Sequence, residues 1–164
     1  MEEDKLNIDE TTFSVDLSEA TDAVKEGSFE YALNLLEIIL KDHPDHIDSL
    51  YLAAVSTRYL RKFDDSKQYI EQLLITAPDM GRAYQELGHL NRDMGNEEQA
   101  VVHYRQACEL NPALMAGWNF LYHYFVKNQN KPAADHALEQ INKLQSLPGV
   151  LLYIDQILNE GRLG

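Results

Sequence analysis

One spacing recurs along this 164-residue chain. Three prolines, each at the end of an apolar, helix-like stretch, are evenly spaced at Pro44, Pro78 and Pro112. Residues with small side chains keep the same period, at Ala32, Ser66 and Ala100. A fixed period of about 34 residues is typical of stacked repeats, and it suits a pair of antiparallel helices joined by tight turns.

The stretches that precede these helices repeat with the same period: "IDSLYLAAVSTRYL" from Ile47, "GRAYQELGHLNRDM" from Gly81 and "MAGWNFLYHYFVKN" from Met115. Each carries apolar residues at spacings of three and four, which predicts a helix. A single helix pair cannot bury its apolar face alone, so each copy should pack on the next. We therefore predict an all-α solenoid of about four antiparallel helix pairs, at residues 13–46, 47–80, 81–114 and 115–147.

The two ends of the chain depart from this period. Residues 1–12 form an acidic segment that we expect to be mobile. Residues 148–164 predict a capping helix, at roughly Gly149–Asn159, that could also begin a further repeat. The last residues, "NEGRLG", are typical of a turn between helices, so we expect a chain cut from a longer protein. An uncovered last helix would then give a weak homodimer. The alternative is a short protein that ends after its capping helix.

The composition excludes several classes of function. A formal net charge of −13 opposes non-specific binding to nucleic acid and to anionic membranes. The acidic start lacks the basic and apolar parts of a secretory signal, which favours the cytoplasm. The single cysteine, Cys108, excludes an intrachain disulfide framework and a cysteine zinc cluster. No nucleophile–base set or glycine-rich phosphate loop is present, so we predict no catalysis and no cofactor.

The third unit carries a recognisable motif, at Tyr84, Leu87, Gly88, Gly95, Ala100, Tyr104, Ala107 and Pro112. With this motif and the regular period, the chain resembles the tetratricopeptide repeat family. The resemblance implies a right-handed superhelix whose first helices line a concave groove, and a function in protein–protein interaction as an adaptor. The fourth unit departs from the motif. Tyr122 stands where Ala54 and Gly88 are small, and Gln129 replaces the glycine of the turn.

The resemblance also implies which residues face the groove: Lys25, Tyr51, Arg58, Tyr59, Arg82, Gln85, His89, Arg92, Asn119, His123 and Lys127. Five of these are basic, in a chain that is acidic overall. We therefore expect a protein or peptide partner that bears carboxylates, held by arginine forks and by aromatic contact with Tyr51, Tyr59 and Trp118. The alternative is that the cations pair with neighbouring acids and only solvate this face. Trp118 is expected to serve the core more than the groove.

His89 and His123 lie one repeat period apart, so they should face each other on adjacent units. Because no further ligand accompanies them, we expect groove-lining histidines and no metal site.

A second resemblance covers roughly residues 15–164 and is carried by residues 73–121 and 144–164. They are similar to the N-terminal repeat region of bacterial proteins that join such repeats to a sulfotransferase domain. This resemblance implies an accessory region that positions a substrate for a domain outside this chain. A structural oligomerisation module is a further alternative.

Overall fold

The computed structural model describes residues 17–147, and every regular element in that range is an α-helix. The predicted all-α repeat architecture is therefore confirmed. The helices are α1 (residues 17–25), α2 (Phe29–Asp42), α3 (Ile47–Tyr59), α4 (Phe63–Thr76), α5 (Gly81–Asp93), α6 (Glu97–Leu110), α7 (Met115–Lys127) and α8 (Lys131–Gln145). The predicted acidic segment at residues 1–12 and the predicted capping helix lie outside the described residues.

The chain divides into two compact units, one up to Thr76 and one from Ala77. In unit 1, α3 packs against both α2 and α4. Its side chains are buried without interruption from Ser49 to Arg58, because neighbours cover more than one of its faces. Small residues allow the close contact with α4, where the Ser66 hydroxyl donates a hydrogen bond of 2.9 Å to the Ala54 carbonyl oxygen.

In unit 2, successive helices from α5 to α8 pack against each other. The α5–α6 contact depends on Gly88, since a Cβ there would lie 2.7 Å from the ring of the fully buried Tyr104. The contact between α6 and α7 depends on Gly117, where a Cβ would lie 2.7 Å from the Cys108 sulfur. Both distances are too short for real carbon contacts, so these glycines set how closely the helices approach.

The last helix pair differs from the others in the burial of one position as well as in its sequence motif. Leu36, Ile70 and Tyr104 occupy equivalent places in the first three pairs and are fully buried. The fourth residue of this series, Leu138, is 37% exposed. Tyr122 is partly buried against the core of unit 2, at the place where Gly88 admits the Tyr104 ring.

The turns inside the helix pairs all require one left-handed residue. Gly27 and Gly95 adopt φ angles of 79° and 83°, and Arg61 and Gln129 adopt 60° and 56° at the equivalent places. An L-residue loses roughly 1–2 kcal/mol in this conformation because its Cβ crowds the following carbonyl oxygen, whereas glycine does not. The backbone of the repeat thus imposes the same turn whether or not the residue favours it.

We expect Gln129→Gly to raise the free energy of unfolding by about 0.5–1 kcal/mol, since the relief of crowding exceeds the entropy that glycine loses. Urea unfolding followed by circular dichroism measures the change. The reciprocal control is Gly95→Ala. A Cβ at this position would meet nothing within 4 Å, so the variant measures only the cost of the left-handed backbone conformation. This control should lose about 1–2 kcal/mol. A Gln129→Gly protein that is no more stable than the parent would show that the left-handed conformation of Gln129 costs no stability.

Candidate partner-binding surface

Four of the predicted groove residues lie in unit 1, and two of them are buried. Tyr51 is 5% exposed and Arg58 is 6% exposed, which corrects the expectation that both present a surface to a partner. Tyr59 is 53% exposed. Its ring stacks on Phe29 with a centroid distance of 4.4 Å, and the Arg58 guanidinium carbon lies 4.5 Å from the Tyr59 centroid. The aromatic and cationic groups of unit 1 therefore contact each other at the end of α3.

The remaining predicted residues lie in unit 2. Gln85 is 2% exposed, which again corrects the expectation of an open groove position. Its Oε1 atom has no hydrogen-bond partner among the described residues. Arg82 is half-buried. Whether any of the predicted residues binds a partner stays a prediction.

Five polar residues of unit 2 keep exposed or half-buried side chains on the two first helices. We call them the unit-2 polar surface: His89 and Arg92 on α5, and Asn119, His123 and Lys127 on α7. The two helices contact each other. All five side chains offer N–H donors, and Arg92 and Lys127 offer charge as well.

Acidic residues are scarce on these two helices. The sequence of α7 contains none, and α5 contains only Glu86, which is 2% exposed, and Asp93. The neighbouring helix α6, by contrast, carries three glutamates. The acids of this −13 chain therefore lie mainly outside α5 and α7, although Glu97 at the start of α6 reaches Lys127.

Ion pairs nevertheless engage Lys25, Arg92 and Lys127 among the predicted cations. Arg92 donates from Nε and Nη2 to one oxygen of Asp93, at 3.0 and 2.8 Å. Lys127 Nζ lies 2.8 Å from Glu97 Oε2, and this hydrogen bond and charge raise the pKa of Lys127. Lys25 lies 3.5 Å from Asp22. Such exposed pairs contribute only about 0–1 kcal/mol, so a carboxylate of a partner could replace the internal one.

His89 makes a contact that the sequence interpretation missed. The hydroxyl of Tyr104 lies 2.5 Å from His89 Nδ1, and the two rings meet edge to face at 5.3 Å. The repeat motif explains Tyr104 as a packing residue, and a motif contains no information on what its hydroxyl reaches. The only signal in the sequence is that His89 and Tyr104 both carry polar groups, whereas the equivalent positions of unit 1 carry the apolar residues Val55 and Ile70.

Trp118 was expected to serve the core and lies there, and Cys108 is a further core residue. Trp118 is 9% exposed, and its Nε1 donates a hydrogen bond of 2.9 Å to the Pro112 carbonyl oxygen. Cys108 is buried, and burial raises the pKa of its thiol to about 12, so it remains a protonated packing group at neutral pH. Within residues 17–147 no group of three histidine, cysteine or acidic side chains could hold a metal ion.

Residues 81–114, which contain α5 and α6, match the family model of the tetratricopeptide repeat. The chain is similar to tetratricopeptide repeat proteins. The matched range equals the third predicted unit and includes Gly88 and Tyr104, which meet where α5 packs on α6.

Solved structures named MamA share the fold. A double mutant of MamA RS-1 aligns with a TM-score of 0.67 and 17% identity, over 81% of this chain and 75% of that one. A MamA crystal structure aligns with a TM-score of 0.65 and 14% identity, over 86% and 81%. MamA from Desulfovibrio magneticus RS-1, from residue 41 to its end, gives 0.63 and 19%, over 88% and 77%.

These findings support a tetratricopeptide repeat protein and leave the finer predictions open. No curated protein matches the chain in sequence. The resemblance to repeat regions linked to a sulfotransferase, the bacterial source and the cytoplasmic location stay predictions. In the described part of the chain, no helix is both long and apolar enough to cross a bilayer.

Proposed function

We propose that this chain is a protein–protein interaction scaffold that binds a carboxylate-bearing peptide or loop at the unit-2 polar surface. The tetratricopeptide repeat fold is one that hosts such interactions, and it supports the general assignment. The choice of surface rests on one observation. Donor side chains are accessible on α5 and α7, and these two helices contain only two acidic residues although the chain as a whole is acidic.

The proposed binding replaces internal ion pairs with external ones. Carboxylates of the partner take over Arg92 from Asp93 and Lys127 from Glu97. Asn119 and His123 then donate hydrogen bonds to the peptide between the two cations. The Asp93 and Glu97 carboxylates compete with the ligand, which keeps the affinity moderate and the surface soluble when it is empty.

A random twelve-residue peptide library displayed on phage provides the probe. Selection on the full chain should enrich aspartate and glutamate, and the enriched peptide can then be titrated by calorimetry. Arg92→Gln and Lys127→Gln should each weaken its binding about tenfold, because each removes a charge-assisted contact worth about 1.4 kcal/mol. Glu97→Gln should strengthen binding by about two- to threefold, since Lys127 loses its internal competitor.

Lys131→Gln is the matched control. Lys131 is also an exposed cation with a carboxylate partner, Asp135 at 2.7 Å, but it lies on the second helix α8. Its removal should leave the affinity unchanged. If the library yields no acidic peptide, or if all three lysine and arginine variants bind alike, the proposed function is wrong.

The two other candidate functions stay predictions with distinct signatures. An oligomerisation module would show a molecular mass that rises with protein concentration in light scattering. It would not enrich acidic peptides from the phage library. An accessory region of a sulfotransferase would bind the acceptor of that reaction, which a transferase assay on a longer protein would detect.

A further inference from the structure

Two polar groups lie close to the same ring nitrogen of His89. The Tyr104 hydroxyl lies 2.5 Å from Nδ1, and Nη1 of Arg92 lies 3.4 Å from it. A guanidinium nitrogen can only donate a hydrogen bond, so Nδ1 must accept. An imidazole that accepts at Nδ1 is neutral and carries its proton on Nε2. The contacts of unit 2 therefore favour one tautomer of His89, the one that carries its proton on Nε2.

The Tyr104 hydroxyl, which makes the shorter of these two contacts, is rigidly held. Tyr104 is fully buried, its ring fills the space that Gly88 leaves open, and it lies 4.5 Å from the Phe120 ring. Its hydroxyl cannot turn away without a movement of the whole ring against α5 and α7. The orientation of His89 is thus set from the core of unit 2 outwards.

The equivalent positions of other repeats show that packing alone does not require this pair. The equivalent residues in unit 1 are Val55 and Ile70, and neither is polar. In the last helix pair they are His123 and Leu138, so the histidine is present but the tyrosine is not. Among these equivalent positions, a tyrosine hydroxyl appears only where a histidine faces it. The histidine and the tyrosine hydroxyl thus occur together in this unit, where the two groups contact each other.

We propose that His89 presents its Nε2–H as a fixed hydrogen-bond donor to an acceptor oxygen of the bound peptide, and that Tyr104 is the positioning residue for this donor. The proposal rests on the proposed peptide-binding function of the unit-2 polar surface. It assigns His89 a directional role there, different from the electrostatic role of Arg92 and Lys127. A donor whose proton position is already selected loses less freedom on binding than an imidazole that exchanges its proton between both nitrogens.

Long-range ¹⁵N–¹H spectra of the histidine rings test the first part without any ligand. In the ¹⁵N-labelled full chain at neutral pH, we expect His89 in the single Nε2–H form. His123 is the internal control, because it is exposed and occupies the same place one repeat later. The spectra of His89→Gln and His123→Gln assign the signals. A His89 signal that is doubly protonated, or averaged in the same way as that of His123, would overturn the proposal.

Tyr104→Phe tests the positioning role, because it keeps the ring against Gly88 and removes only the hydroxyl. We expect unchanged far-ultraviolet circular dichroism, a His89 ring signal that shifts towards a tautomer mixture, and peptide binding weakened about three- to fivefold. A Tyr104→Phe protein that keeps the single tautomer would show that the hydroxyl does not position His89, and would overturn that part.

The donor role is tested by two substitutions of His89 against the selected acidic peptide. His89→Gln retains an amide donor near the place of Nε2 and should keep most of the affinity, whereas His89→Leu should lose about tenfold. Equal affinities for the two variants would overturn the donor role. Failure of the proposed function is distinguishable, since Arg92→Gln and Lys127→Gln would then also have no effect. A peptide with its carboxylates converted to amides separates a carboxylate acceptor from a backbone carbonyl.

Discussion

Replacing Trp118 with alanine is expected to lower the free energy of unfolding by about 3–5 kcal/mol, a larger loss than we expect from any other substitution in this chain. Trp118 is 9% exposed and belongs to the core cluster of unit 2, together with Leu121, Phe125 and Ile141. Its Nε1–H also holds the Pro112 carbonyl oxygen in the turn before α7. The variant therefore loses apolar contacts, leaves a cavity and frees a turn, and urea unfolding followed by far-ultraviolet circular dichroism measures the loss.

Two controls separate these contributions. Trp118→Phe keeps a ring in the core but removes the hydrogen bond, and should lose about half as much as the alanine variant. Val126→Ala on the same helix removes an apolar side chain that is 53% exposed, and should change the free energy of unfolding by less than about 0.5 kcal/mol. A Trp118→Ala protein within about 1 kcal/mol of the parent would contradict the assignment of this residue to the core.

Gly88→Ala is expected to lower the free energy of unfolding by about 2–3 kcal/mol, although alanine favours a helix more than glycine does. The added Cβ would lie 2.7–2.8 Å from three atoms of the Tyr104 ring. That ring is fully buried, so it can move only by displacing Phe120 and the histidine that its hydroxyl contacts. Overpacking should therefore outweigh the gain in helix propensity, as chemical denaturation can measure.

Unit 1 provides the compensating pair for this test. Ala54 and Ile70 occupy the places of Gly88 and Tyr104, and both are fully buried. Transferring them as Gly88→Ala with Tyr104→Ile removes the clash, so the double variant should lose clearly less than the sum of the two single variants. Additive losses would mean that the Tyr104 ring is not what excludes a side chain at Gly88.

Peptide binding and the free energy of unfolding should depend on different residues. The side chains of Arg92 and Lys127 are 44% and 66% exposed, and their ion pairs contribute little to folding, so their neutral variants should unfold like the parent. Trp118 and Gly88 lie in the core and should affect binding only through loss of the folded state. A single set of variants therefore separates the proposed surface from the scaffold that supports it.

The fold was predictable from the sequence because its signals are local and repeated. The regular recurrence of Pro44, Pro78 and Pro112, with apolar stripes between them, predicts pairs of helices of limited length. Even the turn at Gln129, which lacks a glycine, adopts the left-handed angle of its equivalents, since the repeat geometry outweighs the preference of one residue. Trp118 was also predictable, because its place in the repeat is a packing position.

The candidate site was predictable only in part. Helical spacing shows which residues share a face, but it contains no information on what covers that face. Tyr51, Arg58 and Gln85 were expected on an open surface and are 5%, 6% and 2% exposed. The pairing of Lys127 with Glu97, 30 residues earlier, likewise depends on how α7 packs on α6.

By itself, then, the sequence determined the period of the repeat, the helices, their turns and the acidic balance of the chain, because each depends on neighbouring residues or on simple sums. Only the tertiary structure decided which donors stay exposed, which cations already hold a carboxylate, and which group the His89 ring contacts. The last of these depends on a hydroxyl from another helix, Tyr104, brought within 2.5 Å because Gly88 has no side chain. Contacts of this kind arise from the packing of side chains across helices, which no local pattern encodes.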